Sequence, residues 1–140
     1  MIALKRARKH SAFLGTNIRL CLLPGDEAKS VQAENTIAAG SFISVQVLNE
    51  FASVARRKLN MSFAEIQKFL SHIRMICSVV PVTVEVHDQG LRIAEHYGFS
   101  IYDALIVAAA LSANCTILYS EDMQNSQIID DRLLIQNPFT

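Results

Sequence analysis

From Ile101 to Leu111 every residue except Asp103 is apolar or aromatic. A helix over this run is apolar on all sides, so it must be enclosed by protein rather than laid on a surface. The run is far short of the ~18 apolar residues a membrane helix needs. Enclosure requires a body of adequate size. The chain has 140 residues, 51% hydrophobic and 19% charged, against typical values of ~45–50% and ~25%. One domain with a full core is expected, and wholesale disorder is excluded.

Around this run, short apolar stretches alternate with helical periods. Ser11–Leu14 reads as a buried strand, followed by Gly15-Thr16-Asn17, where Thr16 or Asn17 caps a helix through about Leu23. Pro24-Gly25-Asp26 stops that helix, and Glu27–Ala39 forms a second, closed by Gly40. Phe42–Ser44 is a candidate strand. Val45–Leu59 follows with apolar residues at 45, 48, 52, 55 and 59. Ser62 and Glu65 form a capping box for a helix whose apolar face is Phe63, Ile66, Phe69/Leu70, Ile73 and Ile76/Cys77. Val79–Val82 reads as an edge strand interrupted by Pro81. Thr83 caps a helix to Tyr97, with Val86, Ile93 and Tyr97 on one face and Gly98 at its end. Ser100 caps Ile101–Ala113, and Thr116–Tyr119 and Leu133–Ile135 are further strands. Buried strands separated by helices predict an α/β fold with a parallel sheet, whose ligands bind beyond the carboxyl ends of the strands. Gly15-Thr16-Asn17 and Ser120-Glu121-Asp122 leave strands in that direction.

Net charge is zero, but Lys5, Arg6, Arg8 and Lys9 crowd the first nine residues. The remainder holds nine basic against thirteen acidic side chains, too acidic for indiscriminate nucleic-acid binding. Residues 1–10 read as a basic extension, either a frayed terminus or an arm that touches phosphates, and residues 11–140 as a single domain. The extension lacks the apolar region of a secretory signal. Cys21, Cys77 and Cys115 are odd in number and far apart, which argues against a disulfide framework or a zinc site. Buried thiols in a reducing cytoplasm are expected.

Three acids stand out. Asp103 has two open roles: a capping-box partner of Ser100 in the first helical turn, or a functional carboxylate set into an apolar helix. Asp122, just past a strand, reads as a loop acid or as a site residue. Glu50 lies just outside the apolar sector of its helix, where a solvated face explains it. No HExxH, GxSxG, P-loop or GxGxxG motif occurs. Acids brought together from strand ends and a helix start form an oxygen-rich site that selects hard cations, Mg²⁺ or Mn²⁺. Such ions activate water, assist phosphoryl displacement and let a polyanion approach an acidic pocket.

The segments AFLGTNIRLCLL, SVQVLNEF, FSIYDALIVAAAL and ILYSEDMQ resemble, in order, the signatures of PIN-domain ribonucleases, with VapC-type toxins of bacterial toxin–antitoxin pairs nearest in pattern. The resemblance runs from about Ala12 to Phe139. It implies a three-layer fold with a central, mostly parallel sheet flanked by helices. It also implies Mg²⁺- or Mn²⁺-dependent endoribonuclease activity, an RNA substrate, a homodimer and a cognate antitoxin, in the cytoplasm. Glu50, Asp103 and Asp122 match the family's second, third and fourth acids, as catalytic residues and metal ligands. Thr16 and Asn17 match the polar pair after the first acid, and Ser120 is a further supporting residue. The first acid itself is replaced by Gly15, which implies weakened metal binding and little or no turnover. Ser126 is a smaller departure, since related chains carry glycine near there. Arg19, Arg56, Arg57 and Lys58 are candidate RNA contacts, the last three also explained as a helix C-terminus favoured by its dipole. A non-catalytic domain that binds RNA or an antitoxin is the alternative.

Overall fold

The computed structural model describes residues 12–15 and 41–137. The two helices expected between Thr16 and Ala39, the basic extension and Cys21 lie outside these residues. Six strands are described: β1 (Ala12–Leu14), β2 (Phe42–Ser44), β3 (Ser78–Val80), β4 (Ile117–Tyr119), β5 (Ile128–Ile129) and β6 (Leu133–Gln136). Four helices accompany them: α1 (Val45–Lys58), α2 (Phe63–Ile76), α3 (Val84–Tyr97) and α4 (Ile101–Ser112). The sheet order is β3-β2-β1-β4-β6-β5. Every pairing is parallel except β5 with β6.

Local chemistry explains the helix boundaries. Ser44, Ser62, Thr83 and Ser100 each accept a hydrogen bond from the amide three residues on, a cap worth about 1 kcal/mol. At Ser62 the box is reciprocal, with the Ser62 amide donating to Glu65 Oε1 at 2.9 Å. Gly98 ends α3 in the left-handed region, φ 76°, where a Cβ is penalised.

The apolar helix is buried as its composition demands. Residues 104–111 of α4 are all buried, packed against α1, α3 and β2. Gly90 lets α3 approach closely, since a Cβ there would lie 2.8 Å from Leu105 Cδ2. Phe13, Leu14, Ile43, Leu118 and Ile135 fill the sheet side of the main core, and Phe51, Ala55 and Ile66 join α1 to α2 in a smaller one. Cys77 and Cys115 are both buried, and burial pushes the Cys115 thiol up to about 12. Among the described residues no helix is long and apolar enough to cross a membrane.

Several expectations need correction. The edge strand ends at Val80, before Pro81, which cannot donate to a ladder. Phe63 is 65% exposed and Ile76 45%, so the buried stripe of α2 is narrower than its apolar pattern. Phe63 instead lies under the Arg56 guanidinium, 4.7 Å from the ring centre. Val45 and Leu59, at the two ends of α1, are likewise exposed. The β5–β6 hairpin was not anticipated. Its turn places Asp130 and Asp131 at φ 51° and 55°, with the Arg132 amide bonded to the Ile129 carbonyl at 3.0 Å. Two left-handed residues in succession make this a type I′ turn, usually written with Asn-Gly.

Asp130 also joins the hairpin to α3. Its carboxylate accepts from Arg92 Nη2 at 2.6 Å and from the Tyr97 hydroxyl at 3.0 Å, while that hydroxyl accepts from the Asp130 amide at 2.9 Å. The Arg92 bond, helped by Tyr97, holds this carboxyl below its ordinary value against the effect of burial. Such a group contributes stability above the ordinary carboxylate range and loses it as pH falls through the depressed value. Asp130→Asn keeps the turn, because asparagine tolerates the left-handed region. It is expected to cost about 0.5–1 kcal/mol at pH 7, discounted for the pair's exposure to solvent, seen as a few degrees in Tm. The difference should begin to shrink as pH falls below about 4 and vanish only below the depressed value; a gap that persists in strong acid would contradict the ionic origin.

Candidate active site

The site is built at the carboxyl edge of the sheet. β1 sits between β2 and β4, so the chain order reverses on its two sides, and ligands of open α/β sheets gather at such a reversal. Gly15 leaves β1 there. Its amide donates to the Tyr119 carbonyl at 3.0 Å, fixing it beside the end of β4. Ser120 follows β4, buried, with its amide held by the Gln136 carbonyl at 3.0 Å. Its hydroxyl accepts from the Met123 amide at 3.4 Å and so shapes the turn that carries Asp122.

Gly15, Glu50, Asp103, Ser120 and Asp122 line one cavity of about 100 Å³, closed on its apolar side by Val54, Ile106 and Met123. Four separate stretches thus supply it: the end of β1, the second turn of α1, the first turn of α4 and the turn after β4. Glu121, next to Asp122, does not line it. Glu50 and Asp103 are half-buried and Asp122 is exposed.

Asp103 completes only half of the expected capping box. Its amide donates to Ser100 Oγ at 3.2 Å, but no return bond to the Ser100 amide accompanies it, unlike at Ser62 and Glu65. Burial raises its pKa, the charge of Asp122 adds to the rise, and the Ser100 hydroxyl opposes it. Ionised Asp103 is thus held at a cost that a cation between it and Asp122 would relieve.

The donors are of the kind a hard divalent cation takes, carboxylates and a hydroxyl. Among the described residues, however, no three of His, Cys, Asp or Glu stand close enough together to hold an ion. The donor types fit such a metal; the set is incomplete. Gly15 adjoins this set on the cavity wall. A Cβ built there would lie 3.7 Å from Ser120 Cβ, on the wall of the cavity, and 3.2 Å from the Tyr119 carbonyl oxygen. Gly15 is not in the left-handed region, so its backbone accepts a side chain after a shift of a few tenths of an ångström.

Thr16, Asn17 and Arg19 lie outside the described residues. Arg57 lines a groove adjoining the cavity, whereas Arg56 is turned away, bonded to the Met61 carbonyl at 3.1 Å and stacked on Phe63. Val54, Ile106 and Met123 escaped the sequence reading because apolar wall residues look like core residues in a pattern. Ser126, flagged as a departure from glycine, has φ 68°, which gives glycine a steric reason to be preferred there.

A family profile described as the PIN domain matches residues 12–128. No curated protein matches the chain at a significant level. Solved structures do. A toxin–antitoxin complex from Klebsiella pneumoniae is similar over 91% of this chain and 98% of that one, at TM-score 0.70 and 18% identity. VapC20 of Mycobacterium tuberculosis, a toxin that cleaves the sarcin–ricin loop, is similar over 80% of this chain and 90% of that one, at TM-score 0.63 and 22% identity. VapBC2 from Rickettsia felis, solved bound to a DNA fragment from its promoter, is similar over 90% and 97%, at TM-score 0.66 and 19% identity. These likenesses show a shared fold, and the profile spans most of the sequence: the chain belongs to the PIN-domain family.

Proposed function

We propose that the chain is a PIN-type endoribonuclease, the toxin component of a toxin–antitoxin module, weakened or silenced as it stands by Gly15. One observation carries this reading: Glu50, Asp103 and Asp122, from three distant segments, line a single cavity beside Gly15 at the reversal point of the sheet. The raised pKa of Asp103 supports it, since burial, with a smaller push from a neighbouring like charge, is what perturbs carboxyls at catalytic sites. Glu50, Asp103 and Asp122 are the proposed ligands of Mg²⁺ or Mn²⁺, a set that stands incomplete until position 15 supplies an acid. A bound ion supplies activated water and neutralises charge on a phosphodiester. Ser120 holds the turn of Asp122, and Ser44 and Phe51 hold the helix of Glu50. RNA is the proposed substrate, with an antitoxin and a second copy of the chain as proposed partners in the cytoplasm.

A second reading, a non-catalytic domain that binds RNA or sequesters an antitoxin, is favoured by the incomplete ligand set. Cleavage of a mixed RNA pool by the chain and by Gly15→Asp, with Mg²⁺ or Mn²⁺, separates the two. Cutting by Gly15→Asp alone supports a disabled nuclease. A folded Gly15→Asp that stays silent sinks the enzyme reading.

A further inference from the structure

Beside the carboxylate cavity lies a larger groove of about 500 Å³ between α1 and the start of α4. Gln46, Asn49, Ser53 and Arg57 line it from α1, and Tyr102 lines it from α4. The α1 residues recur at the three- and four-residue spacing of one helix face, so they form a continuous polar stripe. Glu50 and Val54 line both the groove and the cavity. The two spaces therefore adjoin, with Glu50 and Val54 at their shared border.

The composition of the groove selects its occupant. Tyr102 is 60% exposed although residues 104–111 of its helix are buried. It immediately precedes Asp103, so its position is fixed relative to the cavity. An open aromatic face accepts a base by stacking. Arg57 donates its Nε to Ser53 Oγ at 3.1 Å. That bond orients the guanidinium while its two terminal nitrogens stay available to a phosphate. Gln46 and Asn49 present amides, which can donate to and accept from a base edge. Aromatic face, guanidinium and amides in one groove suit an unpaired nucleotide better than a protein helix, which would need an apolar stripe.

We infer that this groove is a nucleotide subsite in which Tyr102 stacks on an unpaired base next to the scissile phosphate and Arg57 holds the adjoining backbone. The inference deepens the ribonuclease reading of the same site and rests on it. Tyr102 is a binding and specificity residue, and sequence preference at the cut would come through its neighbours Gln46 and Asn49.

Binding tests it without requiring turnover. A labelled single-stranded RNA oligonucleotide of mixed sequence is titrated with the full chain, by anisotropy at several salt concentrations. Tyr102→Ala is expected to weaken binding roughly 5- to 100-fold, the range for loss of one base–aromatic stack, while Tyr102→Phe stays close to the unaltered chain. Arg57→Ala is expected to lower the salt slope by about 0.7, one phosphate contact on a single strand. Equal affinity for Tyr102→Ala and the unaltered chain overturns the inference. So does equal loss in Tyr102→Phe and Tyr102→Ala, which would assign the effect to the hydroxyl. A changed oligomeric mass in Tyr102→Ala with unchanged RNA affinity overturns it in favour of a protein interface. If the folded chain binds no RNA at all, the subsite is likewise refuted, and cleavage by Gly15→Asp then decides the nuclease reading separately.

Discussion

Replacing Gly15 with aspartate is expected to raise metal-dependent cleavage of an RNA pool by about a hundredfold or more over the unaltered chain. Removal of one well-placed electrostatic group from an active site commonly costs ~10²–10³ in rate, and a direct metal ligand should matter at least as much as the outer groups whose loss costs ~10–100-fold. The geometry permits the change. The new Cβ meets the Tyr119 carbonyl at 3.2 Å and Ser120 Cβ at 3.7 Å, so the strand end must yield slightly, and no left-handed backbone has to be relieved. Asp103→Asn in the Gly15→Asp background should return cleavage to the level of the unaltered chain, because it removes the charge while leaving the Ser100 cap on the Asp103 amide intact. Retained activity in that double variant would place the chemistry elsewhere. Mn²⁺ should also raise the Tm of Gly15→Asp well above its effect on the unaltered chain, since a ligand that binds only the folded state stabilises it by about 2.7 kcal/mol at a hundred times its Kd.

Phe51→Ala is expected to be the most damaging single truncation near the site. Phe51 is fully buried and stacks on Phe69 of α2, ring centres 4.8 Å apart and planes 10° from parallel. Its cluster is small, with Ala55 and Ile66 buried beside it and Ala52, Met61, Phe69 and Leu70 packed at its edge, so the void opens in a minor core. Loss of about 3–5 kcal/mol follows, a fall in Tm of roughly 10–20 °C for a domain of this size. Phe51→Leu, which leaves a smaller void, should fall between. Because Glu50 is the preceding residue on α1, Phe51→Ala in the Gly15→Asp background should also lose activity below its own melting range. A Tm within two or three degrees of the unaltered chain would mean that α1 is held chiefly by the main core.

The elements that the sequence made legible are those with local causes. Three of the four described helices have a hydroxyl cap read directly from the sequence, at Ser62, Thr83 and Ser100, whereas Ser44 read only as the end of a strand; Gly98 marks the end of α3 as clearly. The burial of residues 104–111 follows from having no polar face. Where tertiary context intervenes, pattern falters: Phe63 belongs to the apolar period of α2 yet lies outside, covered by Arg56. β5 has only two residues, too few to show a period, and its turn uses Asp-Asp where Asn-Gly would have announced it. At the site, Asp103 stands out as the one charge in an apolar helix although a capping role also accounts for it, and Asp122 follows a recognisable strand. Glu50 is different. Nothing on its own helix separates it from a solvated acid; only the approach of α4 and the end of β4 gives it company. Gly15 carries no local signal, and its meaning came from resemblance to a family that carries an acid there.

The pairing of β1 with β4 joins residues 12–14 to residues 117–119, about a hundred positions apart. Contacts of that range are slow to form, because the loop must close before the pairing repays it. During synthesis at about 5–20 residues per second, several seconds separate the emergence of Gly15 from that of Asp122. Over that interval the nascent chain holds its first strand without the neighbour that completes the pocket. A pocket built in this way does not exist until most of the chain has been made.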